Sequence, residues 1–414
     1  MASGRVQLAS VGVQDNFTVN EPSFTYFQKV YKKHTKFALE TIDNPMDGAP
    51  LFGSQLNCVV PRRGDLIHSV HMRIELSNLY SPSNPTANLG YTDSIGHALI
   101  QWADLSIGGQ LVERITGEYM EMYTDLCVSQ SQQPGITQLV GRTLNVNGLG
   151  KAAASTTFIV PLPFYFHRND SLNVPLTAID KQEVEIRIQL APLSSVVVYS
   201  NTGLPGPSDV QGSIIKLSLP IEYVFLSDEE MNYMKSRTLD YLVSQVQLSR
   251  YTIPPQVKPD PTVDPNPVPP DVVSKLLLQF INPVKELFFV IQNADTKNAP
   301  FVFNNDLVNL ELDFNSEMRI SPDVATPLYL RYIQPFYTHT KTPDRNFYMY
   351  SFALKPELPD PTGQVNMSRI ISKLLTVTTT GSYVQRELRV YAMNYNVLRV
   401  RSGLAGLIFN TTTY

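Results

Sequence analysis

The sequence predicts an all-β chain built from two sandwich domains, and three observations carry that reading. Short runs rich in β-branched and aromatic residues recur along the whole chain, with 21 Tyr and 19 Phe against a single Trp. Several of those runs alternate apolar and polar residues with period two, the mark of a half-buried strand. Prolines number 31 in 414 residues, above the usual ~5%, and fall mostly between the runs, where turns belong. The chain is too long for one ordinary core, and halves of roughly 200 residues each suffice for an eight-stranded sandwich with sizeable loops.

The elements follow in chain order. Leu66–Leu76 (LIHSVHMRIEL) places Ile67, Val70, Met72, Ile74 and Leu76 largely on one face. His68 and His71 are three apart, a spacing that puts them on opposite faces of a strand, so a shared metal is not expected there. Glu183–Leu190 (EVEIRIQL) and Ile214–Leu219 (IIKLSL) alternate strictly. Later strands are expected at Leu276–Phe280, Glu286–Gln292, Leu307–Phe314, Lys373–Thr379 and Glu387–Val400. Turn signals separate them, among them PRRGD, SPSNPT, Gly108-Gly109 and PDPTG.

Two stretches break the β pattern. Ser227–Gln245 opens with Ser227 followed three residues later by Glu230, the spacing of a capping box, and predicts a short helix. Pro254–Asp271 (PPQVKPDPTVDPNPVPPD) cannot donate to a β-ladder and favours polyproline II. It reads as a long outward loop within one domain. The resulting organisation is an arm over 1–23, a first domain over 24–215, and a second over 216–414 that carries the Pro-rich loop 253–272 and a C-terminal tail. The two halves show no obvious self-similarity, so any structural repeat between them has diverged beyond sequence recognition.

Composition narrows function. The net charge is −4 and the charged fraction 17%, below the ~25% of an average soluble protein. That balance argues against a general polyanion binder and suits a surface that buries itself against neighbours. Cys58 and Cys127 lack CxxC spacing and read as small buried apolar residues. No stretch resembles a secretory leader or a membrane span, so maturation in a cytosol-like compartment is expected. Six histidines, at 34, 68, 71, 97, 167 and 339, form no metal motif, and no HExxH, GxSxG, GxxxxGK[ST] or GxGxxG is present. Carbohydrate-cleaving sandwiches line their clefts with several tryptophans, whereas Trp102 stands alone. No catalytic set, cofactor or metal is therefore expected. Asn16, Asn169, Asn366 and Asn410 head Asn-x-Ser/Thr sequons, which without export would not meet the usual glycosylation machinery.

The segment Phe24–Phe37 (FTYFQKVYKKHTKF) interleaves aromatics with Lys29, Lys32, Lys33 and Lys36. Such interleaving can mark a nucleic-acid arm. Phe24, Phe27 and Tyr31, however, share a helical face, and HTKFALETI alternates like a strand. The expectation is a short turn or helix leading into the first strand, with the rings packed at the base of the first domain and the lysines on its rim.

Read in order, several phrases resemble the major capsid proteins of nucleocytoplasmic large DNA viruses, the group of chlorella viruses and iridoviruses. They are QLASVGVQDNFTVNEPSFTYFQKVYKKHTKFALETI (Gln7–Ile42), RRGDLI (Arg62–Ile67), HALIQWADLSIGGQLVERITGEYM (His97–Met120) and VPLPFYFHRNDSLNVPLTAI (Val160–Ile179). In the second half come YVFLSDEE (Tyr223–Glu230), INPVKELFFVIQ (Ile281–Gln292), YMYSFALKPELPDPTGQVNMSRI (Tyr348–Ile370) and VYAMNYNVLRVRSGLAGLIF (Val390–Phe409). The chain departs from the family's phrases in turns, at Asn282, at Asp360–Gln364 and at Phe314–Arg319.

The resemblance implies a double jelly roll, that is, two eight-stranded antiparallel sandwiches in tandem joined by short helices. It further implies a homotrimer of pseudo-hexagonal outline that tiles an icosahedral shell. The implied partners are further copies of itself, minor capsid and penton proteins, and a nearby inner membrane, without direct genome contact. The implied locations are the virion shell and, during assembly, the host cytoplasm. Lys29, Lys32, Lys33 and Lys36 would then lie at the inner edge of the shell. A minor or vertex capsid protein, a scaffold-type double jelly roll, and a carbohydrate-binding sandwich are the alternatives.

Overall fold

The computed structural model describes residues 3–83, 89–142, 149–152, 156–199, 210–258, 268–296 and 299–409. The chain forms two compact units, Met1–Lys36 and Phe37–Tyr414. The smaller unit holds the helix α1 (Ser3–Ala9) and a 3-10 turn (Val13–Phe17), and residues 27–36 have no regular structure. Of the short turn or helix expected around Phe24–Tyr31, a turn forms at 26–27 and no helix does. Phe24 and Tyr26 instead meet edge to face at 4.9 Å, a contact between neighbours two apart that a helix would not allow. Within their unit, Phe24, Phe27 and Tyr31 are 66%, 99% and 76% exposed. So short a stretch does not by itself repay helix nucleation.

The larger unit begins with the first strand, later than the expected start at residue 24. Its first sandwich contains β1 (Phe37–Pro45), β2 (Gln55–Val59), β3 (Leu66–Leu76), β4 (Ile100–Ile107), β5 (Gln110–Thr116), β6 (Thr156–Pro161), β7 (Val184–Leu190) and β8 (Ile214–Leu226). One sheet has the order β1-β8-β3-β6 and the other β2-β7-β4-β5, all antiparallel. β8 returns to pair with β1 over its full length, Phe37 opposite Leu226 and Pro45 opposite Ser218. The expected domain boundary at 215/216 would cut this strand. The eighth strand of a jelly roll must close on the first, and so the first sandwich runs through Leu226.

The second sandwich repeats the plan with β9 (Leu239–Ile253), β10 (Val272–Leu277), β11 (Pro283–Asn293), β12 (Leu307–Phe314), β13 (Glu317–Ile320), β14 (Tyr348–Ser351), β15 (Lys373–Thr379) and β16 (Arg386–Arg401). Its sheets are β9-β16-β11-β14 and β10-β15-β12-β13. In strand order of appearance both sandwiches read 1-8-3-6 and 2-7-4-5, the jelly-roll order. The repeat that sequence comparison of the halves does not detect is complete in topology. The expected strand at 276–280 sits four residues early, because β10 pairs Val272–Leu277 with Thr379–Leu374.

Tight turns explain several local choices. Gly108 and Gly109, both at positive φ, close the β4–β5 hairpin, and Asn315 and Ser316, also at positive φ, close β12–β13. The helix α5 (Asp228–Ser236) bridges the sandwiches where a helix is expected, but the Ser227 side chain makes no capping bond and the reciprocal capping box is not formed. The described ends of the Pro-rich loop lie side by side beside the β15–β16 connection. Gln256 donates its backbone N–H to Ser382 O (2.9 Å) and its side chain to Pro270 O (2.8 Å). The tip of the loop, 259–267, lies outside the described residues.

The two sandwiches share apolar packing. In β11, Leu287, Phe289 and Ile291 belong to the second sandwich's own core, whereas Phe288 and Val290 belong to a core continuous with the first sandwich. β16 divides the same way, with Leu388, Val390 and Ala392 on one side and Tyr391 and Met393 on the other. Burial on both faces explains why ELFFVIQ is an apolar run rather than an alternation.

Candidate functional site: the junction between the sandwiches

The densest polar chemistry of the described residues lies at this junction and is organised by one helix. The helix α3 (Gly117–Cys127) follows β5, and its N-terminus is capped by Thr116, whose Oγ1 accepts from the Tyr119 N–H at 3.2 Å. Only glycine fits at its first position, since a Cβ on Gly117 would stand 2.1 Å from His97 O and 2.4 Å from Ile100 O. Glu118, Glu121 and Asp125 recur at helical spacing along α3. Each meets a cation from the second sandwich.

Arg389 on β16 reaches Glu118 through Nε, at 3.0 Å from Oε1 and 2.9 Å from Oε2. Arg345 donates from Nε to Glu121 Oε1 (2.6 Å) and from Nη2 to Asp93 Oδ2 (2.8 Å). Lys341 Nζ donates to Asp125 Oδ1 (3.1 Å), and the backbone N–H groups of Asp344 and Arg345 donate to Asp125 Oδ2 at 2.8 and 3.0 Å. From within the first sandwich, Arg142 lies 3.0 Å from Glu121 and 2.9 Å from Asp125, and His97 Nδ1 lies 2.7 Å from Glu121.

Glu121 and Asp125 are fully buried. Burial alone would push the Glu121 carboxyl up, but Arg345, His97 and Arg142 overcome that and hold it well below the usual carboxylate range. Burial would likewise depress Arg345, yet Glu121 and Asp93 raise it. Three acidic groups, Asp93, Glu121 and Asp125, thus face three cations, Arg142, Arg345 and Lys341, with little water to screen them. The arrangement binds and orients protein against protein.

Two models of one viral family match the chain consecutively: major capsid protein N-terminus over residues 25–227, and large eukaryotic DNA virus major capsid protein over 230–406. The chain belongs to the large eukaryotic DNA virus major capsid protein family.

Their meeting point falls at α5, which agrees with the sandwich boundary drawn from strand pairing. Curated relatives in this capsid family include the major capsid protein of Pyramimonas orientalis virus, 28% identical over 99% of this chain and 100% of that protein. The major capsid protein of Paramecium bursaria Chlorella virus 1 is 26% identical over the same shares. Among solved structures, PBCV-1 VP54 superposes with a TM-score of 0.77 at 23% identity, covering 94% of this chain and 100% of that one. The Faustovirus major capsid protein gives 0.72 at 12% identity, covering 96% of each. At these identities the structures attest the double jelly-roll fold alone. Its relatives are structural proteins, not enzymes.

Of the expected site residues in this capsid-family chain, Lys29, Lys32, Lys33 and Lys36 are exposed in the Met1–Lys36 unit. Lys29 Nζ lies 5.3 Å from the centre of the Tyr31 ring. Asn16 is exposed in the 3-10 turn. Asn169 and Asn366 each cap a 3-10 turn, their Oδ1 atoms accepting from the N–H of Ser171 and Ser368, both at 3.1 Å. These sequons have a local structural use. Asn410 lies outside the described residues.

The histidine reading requires correction. β3 and β8 slip register between Ser69 opposite Glu222 and Ile67 opposite Tyr223, leaving His68 as the extra residue of a bulge. His68 therefore turns to Glu222 (3.6 Å), the carboxylate that His71 also feels. His71 stacks edge to face on His167 at 5.9 Å. Burial lowers both His71 and His167, the latter to about 4. Cys58 fits the apolar reading, since burial pushes its thiol up to about 11. Cys127 departs from it, because its sulfur lies among polar groups. The acidic stripe on α3 escaped sequence reasoning, although the spacing of Glu118, Glu121 and Asp125 among Tyr119, Met122 and Leu126 was available as a signal.

Proposed function

We propose that this chain is the major structural subunit of a virion, forming a homotrimeric capsomer of pseudo-hexagonal outline that tiles an icosahedral shell. The observation that carries this reading is the repetition of one strand order in two sandwiches locked together within a single chain. Three copies of such a block present six similar corners, and six-cornered blocks tile a flat face. The charged junction and the shared core fix the angle between the two sandwiches, as a building block needs. The partners are further copies of the chain, minor capsid and penton proteins, and the inner membrane beneath them, with assembly in the host cytoplasm. The lysines of the arm supply a basic inner rim, and the Pro-rich loop faces outward.

Gel filtration with light scattering tests the trimer: a particle of three chains at micromolar concentration is expected, and a monodisperse monomer would overturn it. Obligate assemblies of this kind bury upwards of about 2,000 Å2 per interface. Copy number in purified particles tests the shell role, since a minor, vertex or scaffold protein would be scarce there.

A further inference from the structure

At the C-terminal end of α3, three side chains of metal-binding type converge from three segments distant in sequence. The Cys127 sulfur, an imidazole nitrogen of His339 and a carboxylate oxygen of Glu357 all lie within 4.8 Å of one another. They border a cavity of about 240 Å3, also lined by Tyr123, Lys285 and Glu286. The convergence is held from outside. Lys341 donates its backbone N–H to Leu126 O (3.1 Å), pinning the segment after α6 (Gln334–Thr338) against the helix end that carries Cys127. Thr340 holds the Glu357 carboxylate through its N–H (3.0 Å) and its hydroxyl (2.6 Å).

His339 is oriented as a ligand would be. The Thr338 hydroxyl donates its proton to Gln334 O (2.7 Å), so at 2.9 Å it can only accept from His339 Nδ1–H. That leaves Nε2 directed at the acidic side, 3.2 Å from Glu286 Oε2. A hydroxyl or carbonyl fixing one ring nitrogen while the other faces the ion is the usual outer support of a metal-bound histidine.

We infer that Cys127, His339 and Glu357 form a zinc-type divalent cation site that clips the first sandwich to the second. One thiolate, one imidazole and one carboxylate match the ligand preferences of Zn2+, and three protein ligands leave a fourth position for water. Binding forms the sulfur–metal bond as the Cys127 thiol proton leaves to solvent, while the imidazole binds through its unprotonated nitrogen. The site lies beside the ion network of α3 and adds a third kind of tie, after apolar packing and salt bridges, between the sandwiches.

The test uses the full chain, stripped with chelator and titrated with Co2+ and then Zn2+. Expected are one Co2+ per chain with a thiolate-to-cobalt charge-transfer band, displacement by Zn2+, and a rise in melting temperature that chelator reverses. Cys127→Ser should abolish the band, and both Cys127→Ser and His339→Gln should weaken binding by more than about 100-fold. Thr338→Val should weaken it by about 10- to 100-fold while keeping the band. A wild-type cobalt spectrum without the thiolate band would overturn the site, whatever the variants do. Zinc stoichiometry unchanged in Cys127→Ala would overturn the assignment to this cysteine.

Discussion

Arg345 of the second sandwich stands 2.6 Å from Glu121 of the first, and its other nitrogen reaches Asp93 at 2.8 Å. Replacing Arg345 by Met leaves two carboxylates buried without this partner. Breaking a buried pair in this way costs about 3–5 kcal/mol, and urea unfolding should show a loss of that order. The exposed Arg399–Asp240 pair (2.7 Å) is the control. Arg399→Ala should leave the unfolding midpoint unchanged, because water screens that contact.

Acid should destabilise the protein in two windows. The folded value of His167 is about 4 against an ordinary 6.5, so between those values the unfolded chain holds the extra proton. Stability is therefore lost as pH falls from 6.5 towards 4, by at most about 3 kcal/mol. Glu121 is depressed in the folded state, so its contribution is complete above the ordinary carboxylate value, ~4.3, and is lost as pH falls below it. His167→Gln should reduce the slope of the upper window, leaving the share of His71, in a series of melts across pH, and should leave the lower window. An unchanged upper slope would assign it to other groups.

Gly117 and Gly135 lie in neighbouring helices and should respond oppositely to alanine. At Gly117 the new methyl meets two backbone carbonyls that cannot move aside, and overpacking of this kind costs about 3 kcal/mol or more. Gly135, in α4 (Gln133–Val140), has nothing within 4 Å of its would-be Cβ. There alanine should stabilise by up to about 1 kcal/mol, through helix propensity and a restricted unfolded chain. Chemical denaturation of the two variants side by side checks the contrast.

Lys32 and Lys33 are exposed in the Met1–Lys36 unit. Exchanging both for Glu should leave folding and the capsomer intact while reducing the yield of closed particles. Particle counts by electron microscopy, with gel filtration of the free subunit, separate these effects. A normal particle yield would remove the arm from assembly.

Much of this architecture is local and was therefore legible in the chain. Strands such as Leu66–Leu76, Leu307–Phe314 and Lys373–Thr379 declare themselves by period and by the turn residues that bound them, because pleat and turn chemistry act over a few residues. The ordered family phrases added the double jelly roll. What tertiary structure alone decided depends on groups far apart in sequence. The strand over 214–226 belongs to the first sandwich because β1, some 180 residues earlier, is its partner. The bulge at His68 exists because β8 slips there. Phe24, Phe27 and Tyr31 form no helix, because a period names a face but so short a stretch does not by itself repay nucleation. Likewise, Glu118, Glu121 and Asp125 drew no reading from the sequence, and Arg389, Arg345 and Lys341, more than 200 residues later, are what neutralise them. Cys127 reads as a small apolar residue until His339 and Glu357 stand beside it. Local propensity sets the strands, but a charge or a ligand acquires its meaning only from the partner that folding brings within a few ångströms.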